Sequence, residues 1–398
     1  MILFDASHTS HTRAQTGVQR VVRSMFEALS LRESILPVCF DPHQSAWREL
    51  QPWERATLSD NSSAGSAHRS ASWPLSVRLA GYARVLLNQR ATCPEGKGLI
   101  APEIFSAKIA AAYPALFQRI HGPRVAVFHD AVALKLPEFT PYKTVARFPA
   151  YLRELLMFDG VAAVSEDSRQ CLLDYWDWLG VRNPPQVVAI ANAIGTAQQI
   201  ASFGEQPVTT VAPSAKPVVL SVGSLEGRKN HVALLDAAEK VWASGVQFEL
   251  RLIGLAHPQT GKAALDKVQS LQAAGRPVRY DGPVDDAALA GAYAGCSFTV
   301  YPSLLEGFGL PVQESLAHGK PCICSARGAI GESAAGGGCL MLDRVDASSL
   351  ENALRLWLTE PAVLGEAVTA AHSRTFKTWQ THADELICWL RGIPRRES

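Results

Sequence analysis

The chain has 398 residues, of which 47% are hydrophobic and 19% charged, and this length favours two α/β domains with separate hydrophobic cores. The formal net charge of +1 gives no general attraction to nucleic acid, so we expect no nucleic acid partner. No apolar run approaches the roughly 18 residues that cross a bilayer, and residues 1–5 lack the charged leader of a secretion signal, so we expect a cytoplasmic protein.

The first elements predict a β-loop-α unit. A strand at residues 2–4 leads into a polar loop at 7–16, and Gly17 opens an amphipathic helix with apolar residues at helical spacing. Residues 44–98 break this regularity, because Ser, Ala, Asn and Gly cluster at 59–72. We predict that residues 44–98 form an irregular surface excursion of the first domain.

One stretch within that excursion has a helical pattern. Residues 73–90 combine apolar side chains with Arg78, Arg84 and Arg90. We expect a helix that packs on its own domain. The alternative is a basic amphipathic helix that contacts a membrane surface.

Three apolar strands of the first domain are predicted at 125–128, 160–164 and 187–190. In chain order, they are followed by His129-Asp130, by Ser165 and by Asn192. Continuous apolar runs are typical of parallel strands covered on both faces, and ligands gather at the carboxyl ends of such strands. We therefore expect these polar side chains to lie near a ligand.

A second α/β series begins after a segment at 196–217 that is rich in Ala, Gln, Thr and Pro and is predicted to be a hinge. Its strands are predicted at 218–222, 248–253, 296–301 and 321–324, with helical stretches between them. We place the first domain at 1–212 and the second at 213–375. We expect a helix within 376–398 that returns to the first domain.

Two adjacent cations, Arg228 and Lys229, stand on the loop that follows the first strand of the second domain. A departing nucleoside diphosphate gains negative charge, and an Arg beside a Lys can neutralise that charge without a metal. We predict this role for the pair. Exposed surface cations are the alternative when the two residues are considered alone.

A glycine-rich loop with a carboxylate follows the strand at 296–301. It carries Glu306, and a helix predicted to begin near Pro311 carries a second carboxylate, Glu314. Glycines let backbone amides approach a ligand, and a helix N-terminus favours an anion. The two carboxylates would flank that anion and accept hydrogen bonds from the vicinal hydroxyls of a sugar or a ribose.

Together, these segments resemble family 4 glycosyltransferases. Residues 306–314 are similar to the Glu-x7-Glu signature of that family, and residues 223–230 are similar to its phosphate-binding Arg-Lys-Asn loop. The resemblance implies the α/β GT-B fold, with two Rossmann-like domains facing a central cleft and a C-terminal helix that returns to the N-terminal domain. It also implies that Glu306 contacts the transferred sugar and Glu314 the ribose.

The resemblance extends to further donor-binding residues. Residues 16–20 resemble the loop that closes over the donor phosphates, whereas residues 191–195 depart from the family's Asn-Gly hinge loop. The implied donor contacts, besides Arg228, Lys229, Glu306 and Glu314, are Gly17, Ser224, Gly307, Phe308, Gly309 and Leu310.

In the first domain, His129-Asp130 resembles a sugar-contacting pair, and residues 165–169 are similar to the segment that lines the cleft. The resemblance implies that His129 orients the reacting sugar rather than acting as a general base. Asp130, Ser165 and Arg169 are the implied acceptor or cleft residues.

The implied activity is retaining transfer of a hexose to a glycan or lipid-linked saccharide in bacterial surface polysaccharide synthesis. The implied donor is of the GDP-mannose or UDP-glucose type, with no cofactor and no metal. Peripheral contact with the inner face of the plasma membrane is an alternative to a wholly cytoplasmic location. A non-hydrolysing nucleotide-sugar epimerase and a non-catalytic sugar-nucleotide-binding scaffold are the alternative functions.

Other phosphate-binding signatures do not occur in the sequence. No Gly-x-Gly-x-x-Gly follows a predicted strand, and there is no P-loop motif, which disfavours dinucleotide oxidoreductases and P-loop enzymes. No Asp-x-Asp is present to hold a divalent ion on a diphosphate. The eight cysteines are scattered and predict neither a disulfide framework nor a zinc site.

Overall fold

The computed structural model describes residues 1–14, 16–60, 72–89, 91–204 and 216–396. The chain divides into two units by its internal contacts. The first unit comprises Met1–Ala131, Ala146–Asn192 and Trp379–Ser398, and the second comprises Val132–Val145 and Ala193–Thr378.

The described residues contain strands and helices that alternate along most of the chain. The strands are β1 Ile2–Asp5, β2 Ile35–Asp41, β3 Ala46–Glu49, β4 Leu99–Ala101, β5 Arg124–Phe128, β6 Gly160–Ala163, β7 Gln186–Ala189, β8 Val218–Val222, β9 Glu249–Ile253, β10 Val278–Tyr280, β11 Phe298–Tyr301, β12 Cys322–Ser325 and β13 Cys339–Leu342. The helices are α1 Gly17–Ser30, α2 Pro52–Leu58, α3 Leu75–Leu86, α4 Ala107–Phe117, α5 Val132–Lys135, α6 Tyr142–Glu154, α7 Glu166–Trp178, α8 Ala197–Gly204, α9 His231–Ala243, α10 Lys262–Ala273, α11 Asp286–Gly295, α12 Leu310–Ala317, α13 Gly328–Ala334, α14 Ala347–Thr359, α15 Pro361–His372 and α16 Trp379–Gly392. Among them, none is both long and apolar enough to cross a membrane.

The first unit contains a seven-stranded sheet in the order β3-β2-β1-β4-β5-β6-β7, in which β3 is antiparallel to β2 and the other pairs are parallel. Every residue of β1, β5 and β6 is buried, as expected for parallel strands covered on both faces. The strands predicted at 2–4, 125–128, 160–164 and 187–190 are present, with ends that differ by one residue.

The prediction that residues 44–98 are irregular is wrong for much of the segment. Residues 46–49 form β3, and α2 and α3 follow, while 61–71 and 90 lie outside the described residues. The strand β3 is only four residues long, and it is held by the buried Trp47 and Arg48 rather than by an apolar alternation. Such a strand leaves no periodic signal in the sequence.

A buried ionic network attaches α2 to this edge of the sheet. The carboxylate of Glu54 accepts hydrogen bonds from both terminal nitrogens of Arg48, each at 2.7 Å, and lies 2.8 Å from His11 Nε2. Burial would raise the pKa of Glu54, but the hydrogen bonds from Arg48 and His11 lower it to about 2. His11, Cys39 and Glu54 lie close enough together to hold a metal ion, yet Arg48 already neutralises the carboxylate.

The second unit contains a six-stranded parallel sheet in the order β10-β9-β8-β11-β12-β13. Its core includes Val219 and Phe298 on the strands and Leu234 and Trp357 on the helices α9 and α14. The strand order reverses between β8 and β11, and ligands bind at such switch points in open α/β sheets. The segments that carry Arg228 and Glu306 both begin there, at the carboxyl ends of β8 and β11.

The two units differ from the predicted domain bounds. The second unit begins at Ala193 rather than at residue 213, and it also includes Val132–Val145. The ring of Phe139 packs so closely on Gly227 that a Cβ at Gly227 would collide with it. The helix α16 belongs to the first unit, where it packs on α1.

Candidate functional site

The segment between β8 and α9 fixes the two predicted cations. Gly227–Lys229 forms a short 3-10 helix, and Asn230 follows with a left-handed φ of 58° before α9 begins. The carbonyl of Leu225 accepts a hydrogen bond from the amide of His257, which attaches this segment to the one after β9. Arg228 and Lys229 therefore lie on ordered backbone rather than on a loose surface loop.

Glu306 joins these two cations in what we call the charge cluster, which consists of Arg228, Lys229 and Glu306. Oε1 of Glu306 lies 2.6 Å from Arg228 Nη1 and 2.6 Å from Lys229 Nζ. The three side chains are only 22%, 9% and 11% exposed, respectively. This ion pairing was not predicted from the sequence, which assigned the carboxylate to a sugar and the cations to a diphosphate.

Three further polar residues support the charge cluster. Ser303 donates a hydrogen bond to Glu306 Oε1 at 2.5 Å, and Arg228 Nη2 lies 2.8 Å from Glu226 Oε1. The Tyr301 hydroxyl contacts Lys229 Nζ. Sequence reasoning missed all three, although Tyr301 ends a buried strand and is a polar residue of the kind singled out in the first domain.

The electrostatics of the cluster follow from these contacts. Burial opposes the charged form of Glu306, but Lys229 and Arg228 hold its pKa well below the usual range. Burial also opposes the charge on Arg228, yet Glu306 and Glu226 raise its pKa. A carboxylate has about four acceptor positions, so Glu306 can still accept hydrogen bonds from a ligand.

The helix α12 begins at the end of the glycine-rich loop. Gly309 precedes it with φ 97°, a conformation that favours glycine, and the hydroxyl of Ser333 donates to the carbonyl of Phe308. The first amides of a helix have no intrahelical acceptor and can bind an anion. Gly307, Phe308 and Leu310 adjoin this position, and their contacts with a phosphate stay predictions.

Glu314 is buried on α12, where it accepts a weak hydrogen bond from the Tyr293 hydroxyl at 3.5 Å. Tyr293 stacks on His318 with 4.6 Å between ring centroids, and Phe203 lies 4.4 Å from the same imidazole. Burial lowers the pKa of His318 to about 4, although Glu314 acts in the opposite direction, so the imidazole is neutral at pH 7. The ribose contact of Glu314 stays a prediction.

Residues 203–373 match the family described as glycosyl transferases group 1. Most of the second unit therefore matches this glycosyltransferase family. This finding confirms the family resemblance predicted from the Arg228-Lys229 segment and the Glu306–Glu314 spacing, both of which lie inside the matched residues.

Two relatives of this chain come from Escherichia coli. The serotype-specific mannosyltransferase WbdA is 25% identical over 337 residues, which cover 81% of this chain and 38% of the relative. The O-antigen chain mannosyltransferase B is 28% identical over 224 residues, which cover 52% of this chain and 56% of the relative. This chain therefore spans only part of the length of each relative.

Solved structures match the chain across both units. HepE from Anabaena in complex with UDP and glucose has a TM-score of 0.65 at 16% identity, with 98% of this chain and 99% of that chain covered. Sucrose-phosphate synthase from Thermosynechococcus elongatus has a TM-score of 0.64 at 19% identity, with 98% of each chain covered. The chain has the predicted GT-B fold of two Rossmann-like domains.

His129 is buried in the first unit, directly after β5. Its Nε2 donates a hydrogen bond to the carbonyl of Pro102 at 2.7 Å, because a carbonyl can only accept. Burial lowers the pKa of His129, against the influence of Asp130. The neutral ring therefore keeps Nδ1 as an acceptor, which is compatible with the predicted contact to a sugar hydroxyl.

The other predicted residues of the first unit have structural partners. Ser165 accepts a hydrogen bond from the amide of Ser168 at 3.1 Å and caps α7. Arg169 pairs with Glu166 and donates to the carbonyl of Val187 at 3.1 Å. Their acceptor contacts stay predictions.

Two further positions of the first unit lie in segments considered for ligand contact. Gly17 opens α1, and no heavy atom lies within 4 Å of the position that a Cβ would take there. Asn192 is buried, and its side-chain oxygen has no hydrogen-bond partner among the described residues. A direct ligand contact by either residue is untested.

Proposed function

We propose that this protein is a retaining hexosyltransferase that uses a nucleoside diphosphate sugar and a glycan or glycolipid acceptor in bacterial surface polysaccharide synthesis. The observation that carries the proposal is the charge cluster, in which Arg228 and Lys229 are fixed by Glu306 next to the start of α12. The mannosyltransferase names of the two relatives support the same class of reaction.

The chemistry of the cluster suits departure of a nucleoside diphosphate. Charge develops on the β-phosphate as the glycosidic bond breaks, and the Arg228 guanidinium and Lys229 ammonium neutralise it. Since Glu306 already fixes both cations, little reorganisation is needed during the reaction. The amides at the start of α12 would bind the same diphosphate, and Glu314 would bind the ribose.

No metal or cofactor is part of the proposed mechanism. Two side-chain cations supply the positive charge that a divalent ion supplies in metal-dependent transferases. In the proposed front-face reaction, the leaving phosphate oxygen takes the proton of the acceptor hydroxyl. His129 orients the sugar through Nδ1, because Nε2–H is held by Pro102.

The donor is proposed to be GDP-mannose, with UDP-glucose as the next candidate. Calorimetric titration in EDTA against GDP, UDP and ADP, followed by their sugar conjugates, tests both the donor class and the metal-free site. We expect micromolar-scale binding of one nucleotide and weaker binding to a Lys229→Ala variant. Absence of binding to every nucleotide would contradict the proposed donor site.

Product analysis separates transfer from the alternative functions. With donor and a saccharide acceptor, the proposed enzyme forms a glycoside and releases the nucleoside diphosphate. Conversion of the donor sugar without an acceptor would indicate an epimerase, and donor binding without turnover would indicate a scaffold.

The location that fits this reaction is the cytoplasm, where nucleotide sugars are made, with peripheral contact at the inner face of the plasma membrane. A lipid-linked acceptor would place its saccharide at that surface.

A further inference from the structure

The helix α3 exposes an apolar stripe. Leu75, Leu79, Tyr82 and Leu86 follow one another at spacings of four, three and four residues, which places them on one face of the helix. They are 66%, 60%, 51% and 86% exposed, respectively. The prediction that this helix packs on its own domain is correct for Gly81, which is buried, and for Tyr82, whose ring meets that of His43 edge-on with 5.2 Å between centroids.

Contacts before and within α3 attach this helix to the first unit. The amide of Ser72 donates a hydrogen bond to the carbonyl of His11 at 2.8 Å. The next residue, Trp73, stacks its ring on the His11 imidazole with 3.8 Å between the ring centroids. A Cβ at Gly81 would lie 2.8 Å from the Cβ of His43, so glycine permits the close approach of the helix to its unit. Both contacts hold the helix on its own unit.

The charged side chains in the sequence from residue 61 to residue 94 have one sign. Residues 61–94 contain four arginines, at 69, 78, 84 and 90, and no Asp or Glu. Arg78 and Arg84 are exposed on the described helix, and the buried Asp41 as well as Arg78 and Lys108 lie close enough to His43 to act on it electrostatically. An anionic surface would therefore meet no carboxylate on α3 itself.

We propose that α3 is a docking surface for a membrane that contains anionic lipid. The stripe would enter the boundary between headgroups and acyl chains, while Arg78, which lies beside the stripe on the helix, would contact a lipid phosphate. A membrane fits better than a protein partner because α3 combines large exposed apolar side chains with arginines and no acids. This inference rests on the peripheral membrane contact proposed above, and it is independent of the transfer chemistry.

Vesicle co-sedimentation of the full chain tests the proposal. We expect binding to phosphatidylcholine vesicles that contain about 30% phosphatidylglycerol, and weaker binding to pure phosphatidylcholine or at high salt. Replacing Leu79 and Leu86 together by Ser should lower the partition coefficient at least about tenfold, the scale for removing buried apolar side chains. Replacing Arg78 by Gln should lower it about fivefold on anionic vesicles.

Leu31→Ser is the matched control, because Leu31 is 68% exposed in the first unit but lies outside the stripe. It should leave vesicle binding unchanged, and thermal unfolding should show that each variant is folded. Equal binding by the wild type and the Leu79/Leu86 variant would overturn the proposal. The proposal would also be overturned if the Leu79/Leu86 variant differed from the wild type in oligomeric state, measured by sedimentation velocity, but not in vesicle binding.

Turnover with a water-soluble saccharide separates docking from transfer. The stripe variants should keep the wild-type turnover of a water-soluble saccharide, because α3 contributes no residue to the charge cluster. Vesicle binding that depends on the stripe in a protein without turnover would support the docking surface while rejecting the proposed transferase activity. Turnover without stripe-dependent binding would reject the docking surface alone.

Discussion

Replacing Glu306 by Gln should destabilise the second unit. The variant keeps an oxygen that can accept the hydrogen bond from Ser303, but it removes the charge that lies 2.6 Å from both Arg228 and Lys229. Arg228 retains Glu226 as a partner, whereas Lys229 is left without its carboxylate.

The burial of the cluster sets the expected magnitude. Removal of one partner from a buried ion pair costs about 3 to 5 kcal/mol in free energy of unfolding, whereas an exposed pair contributes about 0 to 1 kcal/mol. Since Glu226 continues to neutralise Arg228, we expect a loss near the lower end, about 3 kcal/mol. Added GDP or UDP should restore part of that loss, because its diphosphate supplies negative charge to the same cations.

Urea titration, combined with hydrogen exchange at the buried face of helix α9, measures the stability of the second unit directly. Asp266→Asn is the matched control, because Asp266 forms an exposed pair with Lys262 on α10 of the same unit. The control should change the free energy of unfolding by less than about 1 kcal/mol. A Glu306→Gln loss no larger than that of the control would refute the view that Glu306 is the buried counter-ion of the cluster.

Four further predictions concern catalysis and pH. Arg228→Ala and Lys229→Ala should each lower turnover by roughly two to three orders of magnitude in a steady-state assay, and near-normal rates in both would remove their leaving-group role. Glu314→Ala should chiefly raise KM for the donor, so a loss confined to kcat would reject its ribose contact. Gly17→Ala should leave thermal stability unchanged, because the site has room for a Cβ, but should lower activity if the donor approaches there; unchanged activity would contradict that contact. Burial and the nearby Glu103 raise the pKa of Asp5 to about 6, so the folded state binds its proton more tightly than the unfolded state. Stability should therefore fall as pH rises from about 4 to 6, and Asp5→Asn should flatten that slope in urea titrations at several pH values; an unchanged slope would exclude Asp5 as its source.

The parts of the fold that could be predicted are those with a local signal. The strands β5 and β8 are continuous apolar runs, and their positions were predicted to within one residue. The strand β3 depends on Arg48, whose partners Asp41 and Glu54 belong to other elements. A strand stabilised by such contacts cannot be recognised from periodicity.

The same distinction applies to the candidate site. Arg228, Lys229 and Glu306 were each found from a local motif. Their mutual ion pairing depends on the adjacency of β8 and β11, which are separated by two strands in the sequence. The assignment of Val132–Val145 to the second unit likewise depends on packing, here of Phe139 on Gly227, and a chain-order prediction of domains cannot contain it.

The charge cluster also bears on which anions the site would retain. Arg228 and Lys229 are balanced by Glu226 and Glu306, so the four side chains together carry no net charge. A free phosphate ion entering such a site would gain two cations but would also meet two carboxylates, whereas a nucleotide sugar adds contacts through its ribose and hexose. Donor binding should therefore depend little on ionic strength, and the inorganic phosphate of the cell should compete poorly for the site.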